Sequence, residues 1–359
     1  MARLEDITEE VLKYNPDANI DLIWKAYVYS AKVHSGQVRA SGEPYLSHPI
    51  DVAHLLTRFK MDTVSIMVGL LHDTIEDTYS TEEEIKALFG EEVLFLVSGL
   101  TKISKIEFSS EEEKQAENYR KMILAMSKDI RVIVIKLCDR LHNMRTLNFT
   151  PVEKQRRIAR ETLDIYAPVA NRLGIGWVKQ ELEDLALQFL HPDEYERLKK
   201  SVDTHYGERK SYINDVIGGV TKNLQQADIK AEVDGRPKHF YSIYKKMVRK
   251  KIAFEQVYDL IGIRILTDSL KDCYSALGTI HHLWKPIPGK IKDYIAIPKR
   301  NMYQSLHTTV IGPKGNRVEF QIRHVAGHFT NSVVQHAILL GRRLDVFDRR
   351  TQLHRFGPF

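Results

Sequence analysis

Cysteine is scarce in this chain: 2 among 359 residues, Cys138 and Cys273, far apart and in no pairing pattern. A disulfide framework is excluded, and a reducing compartment is the natural setting. Long apolar runs are missing as well, with no stretch approaching the roughly 20 residues needed to cross a bilayer. The opening MARLEDITEEVL is acidic and has no basic flank ahead of an apolar core, so nothing reads as a secretion signal. The expected location is the cytoplasm, with no membrane contact. Repeats and low-complexity tracts are also lacking, which argues against a solenoid and against a disordered chain. With 43% hydrophobic residues the chain is globular and long enough for two or three cores.

The formal charge of +6 conceals a division. Residues 1–200 hold 27 Lys and Arg against 33 Asp and Glu, a net of −6; residues 201–359 hold 26 against 14, a net of +12. An acidic first part suits a cation, and a basic second part suits a polyanion such as a nucleotide, RNA or a membrane surface.

The first part reads as helical. DLIWKAYVYSAKVH, IDVAHLLTRF, VSIMVGLLH and RVIVIKLCDRLHNM keep helical spacing of apolar residues and are separated by turn clusters. Pro49 suits a first helical position behind His48, and Ser80 with Glu83 suits a capping box, so the helix carrying GLLHDTIEDT is expected to stop near Thr78. From about residue 230 the period changes. IKAEVDG, VYDLIGIRIL, SLHTTVIG and RVEFQIR read as strands, with FYSIYKKMVRKK and DSLKDCYSALGTIHHLW as helices between them. GPKGN between the last two strands reads as a hairpin turn, so the sheet is expected to be mixed. The fold class is α+β and multidomain: an all-α domain over 1–195, a helical bridge over 196–230, a mixed-sheet α/β domain over 231–323 and a C-terminal tail over 324–359.

Residues 69–78, GLLHDTIEDT, crowd His72, Asp73, Glu76 and Asp77 onto a helix end. Acids there oppose the helix dipole, and Asp73 and Asp77 are like-charged neighbours at i,i+4, so a positive charge is expected nearby. Two more residues are costly where they stand: His48 at a helix head in YLSHPI, and Asp139 inside VIVIKLCDRLHNM. A carboxylate among aliphatics must pair, coordinate or become neutral. Taken singly, Asp139 could pair with Arg140 or bond Asn143, and His48 could begin a helix. Taken together, His48, His72, Asp73 and Asp139 supply two imidazoles and two carboxylates, a set suited to Mn²⁺ or Zn²⁺. Glu76 and Asp77, one turn on, could then orient or deprotonate a water activated by that ion.

A histidine, an HD pair and a distant aspartate, all on helices, resemble the HD superfamily of metal-dependent phosphohydrolases. QVRASGEPYLSHPI, GLLHDTIEDT, KLCDRLHNMRTL and IYAPVANRLGI, followed by GRPKHFYSIYKKM, YDLIGIRI, KDYIAIPKRNMYQSLHTTV and VEFQIR, resemble the RelA/SpoT homologue family of (p)ppGpp synthetase/hydrolases. The likeness runs in order from about residue 20 to Arg323. It implies an HD-type hydrolase followed by a nucleotidyltransferase-like synthetase, acting on ATP, GDP or GTP, and (p)ppGpp.

Carried over residue by residue, the resemblance implies Mn²⁺ held by His48, His72, Asp73 and Asp139, with Glu76 and Asp77 assisting attack on the 3′-pyrophosphate of ppGpp. Arg39, Ser41, Asn143 and Thr146 match nucleotide-holding positions, though each also has an ordinary reading as a surface charge, turn residue or helix-end hydrogen bonder. In the second part it implies pyrophosphoryl transfer from ATP to the 3′-hydroxyl of GDP or GTP, a reaction of positioning and charge neutralisation. Arg236, Lys238, Ser242 and Lys246 would meet the ATP phosphates. Asp259 and Glu319 would hold Mg²⁺, Glu319 also serving as base for the 3′-hydroxyl. Tyr303 would stack on guanine, with Arg264, Lys292, Lys299, Asn301, His307 and Gln321 around the acceptor. Without its neighbours, KKMVRKK would read as a solvated basic helix.

The chain departs from the family pattern in four places. Ala40 replaces a frequent basic residue. Lys290 in KIKD keeps the basic form associated with bifunctional members. Met302 stands where glycine is usual, and methionine would be strained if that backbone needs φ > 0. After Arg323 the pattern gives way to HVAGHFTNSVVQHAILLGRRLDVFDRRTQLHRFGPF, in which a helix over 331–344 is expected. A frameshifted or truncated gene and a short form fit that tail equally. The alternative function is therefore a hydrolase whose synthetase half is inactive. Direct nucleic-acid binding ranks below both, because Tyr241, Tyr244 and Tyr303 form no recognisable RNA-binding motif.

Overall fold

The computed structural model describes residues 2–104, 129–237, 239–252, 254, 261–299 and 303–325, and at 102–104, 203–210, 236, 237 and 261 it describes the backbone alone. Lys238, Asp259, Asn301, Met302 and the expected helix over 331–344 lie outside the described residues; Arg236 is described only as backbone. The chain divides into two compact units between Ala170 and Asn171.

In the first unit the described residues form α1 (Leu4–Tyr14), α2 (Ile20–Val33), α3 (Ser47–Thr57), α4 (Thr63–Leu71), α5 (Thr74–Asp77), α6 (Glu82–Phe89), α7 (Glu91–Ser104), α8 (Ile130–Arg145) and α9 (Val152–Glu161). Side chains start them: Asn19, Asp62 and Asp129 accept from backbone N–H groups in the first turns of α2, α4 and α8. Helix α4, TVSIMVGLL, is apolar on every side, as a helix surrounded by others must be. It packs against α2, α3, α7 and α8, with Ile66, Val68, Leu70 and Leu71 fully buried. A Cβ on Gly69 would stand 2.7 Å from Leu56 Cδ1 and 3.3 Å from the Cα of Ala53, so α3 and α4 meet backbone to backbone there. Gly69→Ala is expected to cost about 1–3 kcal/mol in urea unfolding; an unchanged midpoint would mean that the helices separate freely.

Three local boundaries differ from expectation. The helix does not run on to Thr78: it ends at Leu71 and resumes as the single turn α5, because side chains capture its last carbonyls. His72 Nδ1 lies 2.8 Å from the Gly69 carbonyl, and Thr74 Oγ1 donates to that of Leu71. The capping box uses Thr81 and Glu84, since the Ser80 hydroxyl is engaged with Thr78. Helix α3 begins at Ser47, which places Pro49 third; its missing N–H is still one that the first turn leaves unpaired.

In the second unit come α10 (Gly176–Leu190), α11 (Pro192–Gln226), β1 (Ala231–Pro237), α12 (Phe240–Lys250), β2 (Ile261–Thr267), α13 (Leu270–Leu283), β3 (Lys292–Asp293), β4 (Leu306–Ile311) and β5 (Arg317–His324). Strand order is β1-β2-β5-β4-β3, with β2 and β5 parallel and the other pairs antiparallel, a mixed sheet as expected. One face carries Ile263, Ile265, Leu306, Val310, Val318, Phe320 and Ile322, and packs on Val216, Val220 and Leu224 of α11 and on Cys273, Ala276 and Ile280 of α13. The stretch expected as a bridge over 196–230 thus contributes five of the fifteen buried residues of this core, and residues 171–195 cluster with the sheet unit although the sequence assigns them to the first domain. Among the described residues no helix is long and apolar enough to cross a membrane.

Candidate functional site

At the end of α4 the side chains singled out in the sequence converge. His48 and His72 are buried, with 1% and 2% exposure, and turn their Nε2 atoms to within 3.1 Å of each other. Asp73 places Oδ2 3.4 Å from His48 Nε2 and Oδ1 3.1 Å from His72 Nε2. Asp139 Oδ1, from the third turn of α8, lies 3.3 Å from His48 Nε2 and 3.9 Å from His72 Nε2. Ligand atoms of His48, His72 and Asp139 all lie within 4.8 Å of one another. Two imidazole nitrogens and two carboxylates facing one point form a donor set for a divalent cation, because without a cation or proton between them the lone pairs repel. The ring of His72 is pre-aimed, its Nδ1–H donating to Gly69 and turning Nε2 toward the centre, where it can ligate once an ion displaces its proton.

Charges around this cluster bear out the cost assigned to Asp139. Burial opposes its ionisation, yet the Lys136 ammonium at 2.7 Å and the two imidazoles hold its carboxyl well below the usual carboxylate range. Asn143 donates to its Oδ1. Arg140, the other partner weighed from sequence, pairs with Glu161 instead. Burial disfavours the imidazolium of His72, but Asp73 and Asp139 outweigh it and raise its pKa to about 9. A positive charge is therefore drawn to this helix end even without an ion.

Tyr45 is a member that sequence reasoning missed. Its hydroxyl donates to Asp73 Oδ2 at 2.8 Å and reaches Asp77 Oδ2, and burial followed by those two carboxylates pushes its pKa far up, so it remains a donor. It thereby ties Asp77 to the cluster; Glu76 stands beside Asp77 on α5. Arg39 Nη2 donates to Asn143 Oδ1 at 2.9 Å and reaches Thr146 Oγ1 at 3.5 Å, so three of the four expected nucleotide contacts meet around one guanidinium. Ser41 stands in the adjoining turn, its hydroxyl 3.4 Å from Glu43 Oε2. His142 and Lys136 were also missed. Lysine inside VIVIKLCD, three residues before Asp139, was a readable signal.

In the second unit, pairing register assembles the other set. Lys292, His307, Gln321, Arg264 and Asp234 are directly opposed across β3, β4, β5, β2 and β1, forming one row on the face away from the core. Glu319, two residues from Gln321, shares that face. Asp234 grips Arg264 with both carboxylate oxygens, at 3.0 Å from Nε and 2.5 Å from Nη2, which fixes the guanidinium plane. Tyr303 bonds His307 Nε2 at 2.8 Å, and the Lys299 ammonium and the Arg323 guanidinium each stand 4.8 Å from the centre of its ring. Ser242 on α12 meets His239, which also reaches Glu183 of α10; Lys246 follows Ser242 by one helical turn.

Two family models match: the HD domain over residues 26–176, and the region found in RelA/SpoT proteins over residues 235–339. A GTP pyrophosphokinase of Myxococcus xanthus is 58% identical over 316 residues, covering 87% of this chain and 42% of that protein. A GTP pyrophosphokinase of Streptomyces coelicolor is 52% identical over 301 residues, 84% of this chain and 35% of its own. The bifunctional (p)ppGpp synthase/hydrolase SpoT of Escherichia coli is 48% identical over 323 residues, 90% of this chain and 46% of its own. The chain thus spans less than half the length of each of these relatives.

Proposed function

Because the chain belongs to the RelA/SpoT family, we propose that it removes the 3′-pyrophosphate of (p)ppGpp in its first unit and makes the same compounds in its second. The observation that carries the first activity is the cluster of His48, His72, Asp73 and Asp139 around one point. These four would hold Mn²⁺, which when bound supplies charge neutralisation at the phosphates and a more acidic water. Arg39, Asn143 and Thr146, already gathered, would hold the nucleotide, with Ser41 at the edge of the same turn. Asp77, held by Tyr45, and Glu76 would orient the attacking water and take its proton as the new P–O bond forms. The bond from phosphorus to O3′ then breaks, giving GDP or GTP and pyrophosphate.

Tyr45→Phe keeps the ring and removes the hydroxyl shared by Asp73 and Asp77. Hydrogen bonds to charged groups contribute about 1.5–3 kcal/mol, so ppGpp breakdown is expected to fall about 10–100-fold, read as kcat with Mn²⁺. An unchanged kcat would remove Tyr45 from the machinery.

In the second unit the pyrophosphoryl group of ATP would pass to the 3′-hydroxyl of GDP or GTP, releasing AMP. Arg236, Lys238, Ser242 and Lys246 would hold the ATP phosphates, while Asp259 and Glu319 would hold Mg²⁺. Tyr303 would stack on the guanine, with Arg264, Lys292, Lys299, Asn301, His307 and Gln321 around the acceptor. Met302, in place of the family's glycine, favours a second reading in which only hydrolysis is live. The deciding experiment assays purified protein for ppGpp breakdown with Mn²⁺ and for alarmone formation from ATP and GDP with Mg²⁺. Both activities support the bifunctional reading, breakdown alone supports the second, and neither would overturn both.

A further inference from the structure

We infer that His142 and Asp51 form a relay with His48, a carboxylate and an imidazole that together fix the tautomer in which His48 presents a bare Nε2 to the divalent ion. This rests on the metal-site reading above. His48 Nδ1 and His142 Nδ1 lie 2.7 Å apart, and both rings are buried. Two nitrogens at that distance share one hydrogen, so one donates and the other accepts. A ligating His48 must keep the Nε2 lone pair, which places its hydrogen on Nδ1. His142 Nδ1 must then accept, and its own hydrogen stands on Nε2, from which Asp51 Oδ2 accepts at 3.2 Å. The carboxylate cannot donate to that nitrogen, so it selects the whole chain of tautomers in one direction. Asp51 is in turn held at Oδ1 by the backbone N–H of Ala2 at 3.2 Å.

The opposite arrangement puts the hydrogen of His142 on Nδ1 and that of His48 on Nε2. His48 would then point an N–H at His72 Nε2, 3.1 Å away, into the space the ion needs. His72 requires no such device, since a carbonyl of its own helix orients it. His48 draws its acceptor from α8 and α3, the helices that also carry Asp139 and His48 itself. Partners one step removed from a metal typically contribute 10–100-fold in affinity.

Asp51→Asn tests the relay with almost no change of shape. The Ala2 N–H keeps the amide oxygen on its side, so the amide NH₂ faces His142 Nε2, which must now accept. The hydrogen of His142 moves to Nδ1 and opposes that of His48. Mn²⁺ affinity of the full chain, measured by chelator competition, is expected to weaken about 10–100-fold. Nitrogen-15 shifts of the Zn²⁺-loaded wild-type chain are expected to place hydrogens on His48 Nδ1 and His142 Nε2, and those of the variant to show them moved. A hydrogen on His142 Nδ1 in the wild type overturns the relay without any variant. So does wild-type affinity in Asp51→Asn, or weakened affinity with unmoved tautomers, which would assign the loss to charge alone. A wild-type chain that binds neither Mn²⁺ nor Zn²⁺ overturns the metal-site reading itself.

Discussion

Asp73→Ala is expected to abolish ppGpp breakdown, by on the order of 10³-fold or more, while leaving alarmone formation unchanged. The magnitude follows from what Asp73 touches. It faces both imidazoles at 3.4 and 3.1 Å and accepts from Tyr45, so on the proposed reading its loss would remove a metal ligand and untie Asp77 together. If groups one step removed contribute about 10–100-fold, a residue that is both ligand and anchor contributes more. Asp73 belongs to the first unit, and the core under the sheet is built from residues of the second. Breakdown is measured with Mn²⁺, synthesis with Mg²⁺, on the same preparation. A variant that keeps breakdown within tenfold of wild type would sink the assignment of Asp73.

Much of this site was legible before the fold was known, for one physical reason: each of its members is costly alone. A carboxylate at Asp139 among aliphatics, and like-charged Asp73 and Asp77 one helical turn apart, announce a positive partner wherever the chain goes. The structure supplies that partner partly from protein, as Lys136 and a raised His72. Tyr45, His142 and Asp51 were not legible, because an ordinary tyrosine, histidine or aspartate acquires its role only from neighbours 28 to 94 residues away. Boundaries slipped for the same reason on a smaller scale. His72 and Thr74 could have continued a helix, but their side chains took its last carbonyls.

The sheet divides in the same way. Alternation along a strand puts residues two apart on one face, and Glu319 and Gln321 share one by that spacing alone. Strand order is a property of distant contacts. Parallel pairing of β2 with β5 brings Arg264 beside Gln321, and the hairpin then adds His307 and Lys292 to the same row. Arg264, Lys292 and His307, far apart in sequence, join Gln321 and Asp234 in one line across five strands.

Glu319→Gln is expected to lower alarmone synthesis about 10²–10⁴-fold, the range for loss of a general base, with ppGpp breakdown and stability unaltered. Glu319 lies on β5 between Gly262 of β2 and Thr309 of β4, on the sheet face that also carries Gln321. Its Oε1 is 3.9 Å from His307 Nδ1, at the edge of the cationic row where an acceptor nucleotide's phosphates would lie. The amide of glutamine keeps the volume and loses both the charge and the basicity, so a purely structural role for Glu319 predicts little change in rate. If the wild-type chain makes no product, Met302→Gly comes first: rescue would place the defect in backbone strain at that residue, and Glu319→Gln in the rescued chain must then abolish what the glycine restored. Synthesis that survives Glu319→Gln at the full rate would remove this carboxylate from the reaction.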